Sequence, residues 1–294
     1  MITNAATFRS GKGHRNENFP VASHLIRPRY REIILGFYEF VRIADDIADH
    51  PSLTRLKKLE LLNQLESDLT GISNENAEAI TLRSLLVKRG ISNRHAMDVL
   101  TAFKLDVTKQ RYRDWKDLIE YCSYSAMPVG RFVLDVHEES SATWPASDAL
   151  CAALQIINHV QDCGADYRDL DRVYIPLDSL ATNGAEVESL GHSEASPGLR
   201  RCLREVTLRS AVLLRESETL PMLVLDQRLG LEISVIQELA RRLVSMLARR
   251  DPLSQRVHLA KAGIAGASLT ALLKGLFRRF GRHFTSGLRK SRDA

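Results

Sequence analysis

Residues 28–49 read PRYREIILGFYEFVRIADDIAD, a stretch that joins a long amphipathic pattern to a cluster of acidic side chains near its end. Its apolar residues recur at spacings of three and four, which is the periodicity of a helix with one buried face. Pro28 fits the first turn of a helix, and Pro51 disfavours its continuation. We therefore predict a helix that begins at Pro28 and ends at about Asp49.

The same spacing continues along almost the whole chain beyond residue 29, and no stretch shows the alternation that is typical of a strand. Caps, glycines and prolines divide the pattern into segments. The next predicted helix runs from Ser52 to Gly71, and a shorter one ends near Gly90. The others run from Ser92 to about Lys109, from Asp114 to Val136 with an interruption at Pro128, and over residues 147–167, 199–225 and 231–249. Polar residues at 181–198 indicate a surface loop. The sequence predicts one all-α domain of seven to ten helices.

The composition of the 294 residues is that of an ordinary globular protein, with 44% apolar and 26% charged side chains. It excludes collagen-like, mucin-like and wholly disordered classes, and the 16 glycines and 9 prolines are too few for a turn-rich all-β chain. Four cysteines (Cys122, Cys151, Cys163 and Cys202) form no C-x-x-C pair. We therefore expect neither a disulfide framework nor a zinc site, and a reducing cytoplasm fits best.

The positive charge is concentrated at the C-terminal end of the chain. Residues 255–294 hold nine Lys or Arg and one Asp, whereas the other 254 residues carry a small net negative charge. We accordingly divide the chain into residues 1–254, a catalytic or binding domain, and residues 255–294, a basic tail. Because a nucleic-acid protein would more often carry its charge on a folded face with interleaved aromatics, no nucleic-acid partner is expected.

The basic tail also carries an apolar stripe that is formed by Leu269, Leu273, Leu276, Phe277, Phe280 and Phe284. A basic amphipathic helix is typical of a membrane-surface element, and a helix packed on the body of the protein is an equally open alternative. No secretory signal opens the chain and no apolar run reaches 18 residues. The expectation is a cytoplasmic protein, with peripheral contact at the inner membrane face as the option that the tail adds.

The first aspartate motif, Arg42–Asp49, ends the opening helix. Asp45 and Asp49 share one helical face, and Asp46 lies roughly 100° round. Like charges at this spacing destabilise a helix, and a carboxylate near the C-terminus opposes the helix dipole. Either the acidic face is simply solvated, or a cation such as Mg²⁺, which prefers oxygen ligands and substrate phosphates, compensates it.

The second aspartate motif, Gln155–Asp166, places polar residues on one face of a helix that is otherwise apolar. Gln155, Asn158, Asp162 and Asp166 follow one another at steps of three and four. Polar groups at such positions require partners. Two carboxylate pairs on separate helices could clamp a diphosphate through bridging metal ions, which stabilises a leaving group as its charge grows.

With these two motifs, the chain resembles the squalene and phytoene synthase family of head-to-head prenyl synthases. The resemblance covers about residues 16–250. Three further segments carry it: Phe37-Tyr38 with Arg42, the stretch 121–130 (YCSYSAMPVG), and the stretch 172–176 (RVYIP). It implies a single-domain isoprenoid-synthase helical bundle, whose central apolar cavity holds isoprenoid chains and whose aspartates lie at the cavity mouth. The bend at Pro128 and Gly130 then becomes part of the cavity wall, and the rings of Tyr124 and Phe132 would face a carbocation.

The resemblance also assigns roles to individual residues. Asp45, Asp49, Asp162, Asp166 and Tyr124 are expected to be catalytic. Mg²⁺ is expected at Asp45, Asp46, Asp49, Asp162 and Asp166. A prenyl diphosphate is expected to contact Phe19, Tyr38, Arg42, Arg131, Gln155, Asn158, Arg172 and Tyr174. The nine histidines form no ligand set, and neither a phosphate loop nor a dinucleotide fingerprint is present. NADPH is not expected, although members of the resembled family bind it without such a fingerprint.

Three details resemble the bacterial hydroxysqualene synthase branch of hopanoid biosynthesis: residues 16–23 (NENFPVAS), residues 125–131 (SAMPVGR) and residues 154–163 (LQIINHVQDC). In the last of these, Gln161 replaces an arginine of many members, which argues against a site for two diphosphates. The expected reaction is the Mg²⁺-dependent conversion of presqualene diphosphate and water into hydroxysqualene and diphosphate. Head-to-head condensation of two prenyl diphosphates is the first alternative. A non-enzymatic lipid-binding module on the membrane surface is the second.

Overall fold

The computed structural model describes residues 26–259, and in that part of the chain eleven α-helices are present without any strand. The helices are α1 (Pro28–Asp49), α2 (Arg55–Thr70), α3 (Ala77–Arg89), α4 (Arg94–Thr108), α5 (Trp115–Ser125), α6 (Met127–Val136), α7 (Trp144–Leu170), α8 (Leu177–Thr182), α9 (Pro197–Glu216), α10 (Leu220–Leu223) and α11 (Gln227–Leu247). The all-α prediction is confirmed. None of the described helices is long and apolar enough to span a membrane.

Several helix ends lie where local sequence signals place them. Helix α1 runs from Pro28 to Asp49, as predicted. Gly71 and Gly90 adopt positive φ angles of 87° and 63° and end α2 and α3. The side chain of Asp114 accepts the hydrogen bond of the Asp117 amide and caps α5. These ends are set by residues within one turn, so the sequence suffices to find them.

Other helix ends differ from the prediction. The N-cap of α2 is Thr54 rather than Ser52, because the Thr54 hydroxyl accepts from the Lys57 amide. The break between α5 and α6 lies at Ala126 rather than Pro128. Pro128 stands in the first turn of α6, where its missing N–H leaves no intrahelical bond unmade.

The predicted loop at 181–198 is only partly correct. It contains the end of α8 and a 3₁₀ helix at Val187–Gly191, in which Leu190 is fully buried. The predicted helix 199–225 is divided into α9 and the single turn α10 by a 3₁₀ turn at Ser217–Thr219. Helices of one or two turns are too short to show a 3.6-residue period, so their number exceeds the prediction.

Two groups of buried apolar residues form the core, and helix α6 belongs to both. One group is built by α1 to α4, and the other by α7, α9, α11 and the segments between them. Phe132 of α6 stacks on Phe37 of α1 in the first group, with ring centroids 4.0 Å apart. Leu134, two residues later, packs in the second group. Helix α6 therefore lies at the boundary between the two halves.

An apolar cavity of about 270 Å³ lies at this boundary. Its wall combines side chains of both core groups with the turn at α10. The lining residues are Ile26, Ile34, Phe37, Tyr38, Val41, Val129, Gly130, Phe132, Val133, Leu134, Ser147, Leu150, Cys151, Leu154, Leu220, Leu229, Glu232, Ile233 and Ile236. The predicted central apolar cavity is present, and Gly130 and Phe132 belong to its wall. The expectations for Phe19 and for the apolar stripe of the tail lie outside residues 26–259.

Helices α6 and α7 approach each other closely at Gly130. A Cβ atom on residue 130 would lie 2.5 Å from both the Cys151 sulfur and the Ser147 hydroxyl of α7. Atoms at that distance overlap, so only a residue without a side chain fits between the helices here. Gly130 therefore fixes the depth at which α7 closes this side of the cavity.

We expect Gly130→Ala to lower the free energy of unfolding, because overpacking costs about 1–3 kcal/mol and outweighs the helix propensity gained. Urea unfolding followed by circular dichroism measures the change. The same substitution in a Cys151→Ala, Ser147→Ala background should cost less, since both clashing atoms are gone. Equal costs in the two backgrounds would show that the contact does not determine the helix spacing.

Candidate active site

The first aspartate motif lies on the face of α1 opposite its core-facing residues. Phe40, Ala44 and Ile47 are fully buried, so the carboxylates between them point away from the core. The guanidinium of Arg42 binds two of these carboxylates, with Nη1 2.7 Å from Asp45 Oδ2 and Nη2 3.0 Å from Asp46 Oδ1. Arg42 thus orients both side chains along the last two turns of the helix.

The ionised form of the Asp45 carboxyl is destabilised in spite of its ion pair with Arg42. Partial burial and the negative charge of Asp49, one turn away, raise the pKa of Asp45 to about 7. The guanidinium of Arg42 acts in the opposite direction but does not compensate for both. A further cation at this position would lower the free energy of the ionised motif.

The end of α1 is held by Arg172, a buried residue that follows α7. Its Nη1 donates to Asp49 Oδ1 at 2.5 Å, its Nη2 to the Ala48 carbonyl at 3.1 Å, and its Nε to the Asp106 carbonyl at 3.1 Å. Only 6% of Arg172 is exposed. One guanidinium therefore connects the last turn of α1, the end of α4 and the chain after α7.

The turn that brings Arg172 into place is local. Asp171 adopts a left-handed conformation with φ 52° and ends α7. The amide of Arg172 then donates to the Asp166 carbonyl at 3.0 Å. This bond connects Arg172, which holds Asp49 of the first motif, to Asp166, the last aspartate of the second motif.

The second aspartate motif occupies the C-terminal half of α7. The Gln155 amide oxygen accepts from the Ser125 hydroxyl at 2.7 Å, which fixes it against α5. Asp162 is exposed, and one Asp166 oxygen lies 3.9 Å from His159 Nδ1. Gln161 is buried and donates to the Val257 carbonyl. The side chain of Gln161 therefore serves the packing of the chain after α11, away from the aspartates of its own helix.

A buried carboxylate that the sequence reasoning missed, Asp106, lies beside Arg172. The hydroxyls of Tyr121 and Tyr174 donate to its two oxygens at 2.9 and 2.8 Å. Burial raises the pKa of Asp106, and Arg172 and the two tyrosines act against this rise. The only local signal was an aspartate on the buried face of α4; its partners come from distant parts of the chain.

The rings around Asp106 reach the second aspartate motif. Tyr174 stacks on His159, with centroids 3.6 Å apart and planes at 14°. Tyr121 and Tyr112 pack against Tyr174 at 5.4 and 5.5 Å. Because His159 is one turn before Asp162 on α7, this cluster connects Arg172 and Asp106 to the helix that carries the second motif.

The structure brings some of the predicted site residues together and leaves others apart. Asp49, Arg172 and Tyr174 belong to the network around Asp106, Arg42 pairs with Asp45 and Asp46, and Tyr38 lines the apolar cavity. Tyr124, whose ring was expected to face a carbocation, is 36% exposed and is not among the residues lining the apolar cavity, whereas its neighbour in the motif, Tyr121, is buried.

Arg131 is also placed differently from the expectation. Its guanidinium forms two bonds to Asp148, from Nε at 2.8 Å and from Nη2 at 2.6 Å, and lies over the Trp144 ring. It does not line the apolar cavity. Arg131 thus joins α6 to α7, since its side chain points from α6 to the start of α7 and away from the second aspartate motif.

A polar pocket of about 250 Å³ adjoins the first motif. Asp49, His50, Lys58, Asp106 and Arg172 are among its lining residues. Lys58 donates to the Ala48 carbonyl at 2.8 Å, and burial together with Arg172 lowers its pKa. The pocket places cationic groups beside an aspartate, as a site for a metal-bound anion requires.

The aspartates suit Mg²⁺ only together with further ligands. Over residues 26–259, no three His, Cys, Asp or Glu side chains are gathered closely enough to hold a metal ion by themselves. Mg²⁺ commonly takes one or two carboxylates and completes its shell with water and phosphate oxygens. Paired aspartates with an unbalanced negative charge, as at Asp45 and Asp49, fit that mode of binding.

The chain is similar to several known proteins over nearly its whole length. It is 56% identical to a hydroxysqualene synthase of Rhodopseudomonas palustris, covering 96% of this chain and 97% of that one. It is 48% identical to a hydroxysqualene synthase of Zymomonas mobilis, covering 93% of each. A squalene synthase (HpnC) from Alicyclobacillus acidocaldarius has the same fold, with a TM-score of 0.70 at 28% identity over 83% of this chain and 91% of that one.

The fold is also that of a ligand-bound dehydrosqualene synthase, with a TM-score of 0.77 at 21% identity over 94% of this chain and 96% of that one. Residues 13–262 match the model of the squalene/phytoene synthase family. The helical bundle, the apolar cavity and the order of the two aspartate motifs agree with this match. The chain belongs to the squalene/phytoene synthase family, in the branch that contains the bacterial hydroxysqualene synthases.

Proposed function

We propose that this protein converts presqualene diphosphate and water into hydroxysqualene and diphosphate. The observation that carries the proposal is its near-full-length similarity to proteins named hydroxysqualene synthase. The geometry supports it, because α1 and α7, which carry the two aspartate motifs in their C-terminal halves, also line the apolar cavity. Nothing in the comparisons supports the alternative of a non-enzymatic lipid-binding module.

In this proposal the diphosphate binds at the end formed by α1 and α7. Asp45, Asp46 and Asp49 from α1, with Asp162 and Asp166 from α7, would hold Mg²⁺. When bound, the metal ion supplies positive charge that stabilises the departing diphosphate. Arg42 orients Asp45 and Asp46, and Arg172 holds Asp49 and the end of α1 in place.

The amides of the second motif complete the polar end. Gln155 is fixed by its bond from Ser125, and Asn158 follows on the same face of α7. We assign both to substrate positioning, with Tyr38 at the boundary between the polar end and the cavity. A catalytic role for Tyr124 stays a prediction.

The second part of the reaction takes place in the apolar cavity. Loss of diphosphate breaks a C–O bond and leaves a cyclopropylcarbinyl cation, whose carbon skeleton rearranges among the apolar side chains. One water oxygen then forms a bond to the rearranged cation and gives up a proton. Walls such as Phe37, Phe132 and Leu150 exclude bulk water, so that only an admitted molecule reacts.

Replacing Asp45 or Asp162 by Asn should reduce diphosphate release from presqualene diphosphate by about 100-fold or more. The reason is that the variant would bind less tightly the Mg²⁺ whose charge stabilises the departing diphosphate. Release of diphosphate and the extracted lipid are measured with Mg²⁺ present. Glu60→Gln, an exposed acid on α2, is the matched control and should keep wild-type activity.

The same assay decides between the proposal and the condensation alternative. Formation of hydroxysqualene from presqualene diphosphate supports the proposal. Turnover of farnesyl diphosphate alone to presqualene diphosphate, without hydroxysqualene, would instead assign the head-to-head condensation to this chain. Asp variants with wild-type turnover would contradict the role of the two motifs.

Mg²⁺ and diphosphate should stabilise the protein cooperatively. Mg²⁺ dehydrates reluctantly and needs phosphate oxygens, so each ligand alone should bind weakly to the paired aspartates. Together they should raise the melting temperature by more than the sum of the separate shifts, by binding linkage. Differential scanning fluorimetry measures this without any turnover, and strictly additive shifts would exclude a shared site.

We further propose that the basic tail binds the surface of an anionic membrane, where the lipid substrate and product reside. Each cation near an anionic surface contributes about 1 kcal/mol, and half-immersed apolar side chains add to this. The triple variant Arg278→Gln, Arg279→Gln, Arg282→Gln should therefore lose most of its binding to phosphatidylglycerol vesicles in a flotation assay, and wild-type binding should weaken with salt.

The exposed arginines of α9 provide the matched control for the tail. Arg200→Gln, Arg201→Gln, Arg204→Gln removes the same charge from the body and should leave vesicle binding largely intact. A tail variant that still floats, or a control that does not, would move the membrane contact away from the tail. A lowered melting temperature of the tail variant would indicate that the tail packs on the bundle.

A further inference from the structure

Among the residues that the structure describes, one carboxylate, that of Glu232, belongs to the wall of the apolar cavity. Glu232 of α11 is among the lining residues and is only 4% exposed. Its neighbours in the wall on the same helix are Leu229, Ile233 and Ile236, all apolar. A carboxylate differs from these neighbours in that its oxygens accept hydrogen bonds and, when ionised, a proton. This position in the wall therefore offers a chemistry that a hydrocarbon side chain could not provide.

Glu232 lies in the part of the wall that is remote from the aspartate motifs. The Glu139 carboxylate, which precedes α7, accepts from the Leu225 and Asp226 amides at 2.7 Å, so α11 begins beside the start of α7, whereas the second motif lies towards the other end of α7. The Arg27 Nε atom is 3.0 Å from Asp226 Oδ2, and this pair joins the starts of α1 and α11. Glu232 follows Asp226 by six residues, about 9 Å along the helix, whereas Asp45 lies about 27 Å along α1 from Arg27. The carboxylate is thus placed to act on the hydrocarbon end of a substrate and not on its diphosphate.

The other polar groups of the described wall are poor proton acceptors. They are Tyr38, Ser147 and Cys151. Burial raises the pKa of the Cys151 thiol to about 12, so it stays protonated. A tyrosine or serine hydroxyl is likewise neutral near pH 7. Among the lining residues that the structure describes, Glu232 is the one whose ordinary chemistry allows it to accept a proton.

We propose that Glu232 binds the water molecule that captures the rearranged cation and accepts its proton. The step balances: the water oxygen forms the new C–O bond, and one O–H bond breaks as its proton passes to a Glu232 oxygen. The product is a neutral alcohol and a protonated carboxyl, which returns the proton to solvent when the cavity opens. The assignment rests on the proposed function and names the residue that decides between alcohol and hydrocarbon products.

The test is the product distribution of Glu232→Gln with presqualene diphosphate. The amide has the shape of the carboxylate but does not accept the proton, so ionisation should continue and capture should fail. We expect diphosphate release within about threefold of wild type, and a ratio of hydroxysqualene to hydrocarbon products lower by about tenfold or more. Gas chromatography with mass spectrometry resolves these lipids, and ¹⁸O-water marks the captured oxygen.

Glu238→Gln makes the same change on the same helix outside the cavity and should keep the wild-type ratio. Glu232→Asp retains a carboxylate and should recover part of the alcohol that Glu232→Gln loses. A purely structural role would instead lower the melting temperature and both products in parallel. That outcome, or an unchanged ratio, would overturn the proposal. No diphosphate release from presqualene diphosphate by the wild-type protein would refute the proposed function itself.

Discussion

The arrangement of the site depends on the buried guanidinium of Arg172. It donates to Asp49, to the Ala48 carbonyl and to the Asp106 carbonyl, and so fixes three separate parts of the chain. A charge in this position is tolerated only when its donors are used, because a buried ion without partners costs several kcal/mol. The two aspartate motifs are therefore held at a defined distance by an element outside both of them. Asp106, with its two tyrosine hydroxyls, extends this connection to His159 and the face of α7.

This network bears on the roles that the family resemblance suggested for Arg172 and Tyr174. Arg172 and Tyr174 were expected to contact substrate, yet both are buried and already bonded within the protein. In the proposed function they position the residues that bind the diphosphate; Arg172 lines the polar pocket, and Tyr174 is not among its lining residues. Arg42 is different, because it pairs with Asp45 and Asp46, the carboxylates to which the proposal assigns Mg²⁺. In the proposed function, positioning and binding are thus divided between the two arginines according to the partners that each one holds.

Much of the fold could be predicted because its signals are local. The ends of α1, the glycine stops of α2 and α3, and the facing aspartates of each motif require only helical periodicity and capping chemistry. Asp106 could not be found in this way, since its partners Tyr121 and Tyr174 are 15 and 68 residues distant. The exposed position of Tyr124 has a related cause. A motif names neighbouring residues, but the packing of α5 on α4 and α7 decides which of its tyrosines faces inward.

The change from polar to apolar surroundings occurs within two turns on each of the two principal helices. On α1, Tyr38 and Val41 line the cavity and Arg42 already binds Asp45; on α7, Leu154 lines the cavity and Gln155 begins the second motif. A reaction that separates a diphosphate from a carbocation needs this arrangement, because the anion is stabilised where the charges are and the cation where no strong nucleophile competes. The same separation makes any polar group inside the cavity consequential. Because the described part of the wall is so nearly free of proton acceptors, the outcome for the cation depends on which group there can hold water, and the proposed role of the carboxylate on α11 therefore concerns the product and not the ionisation.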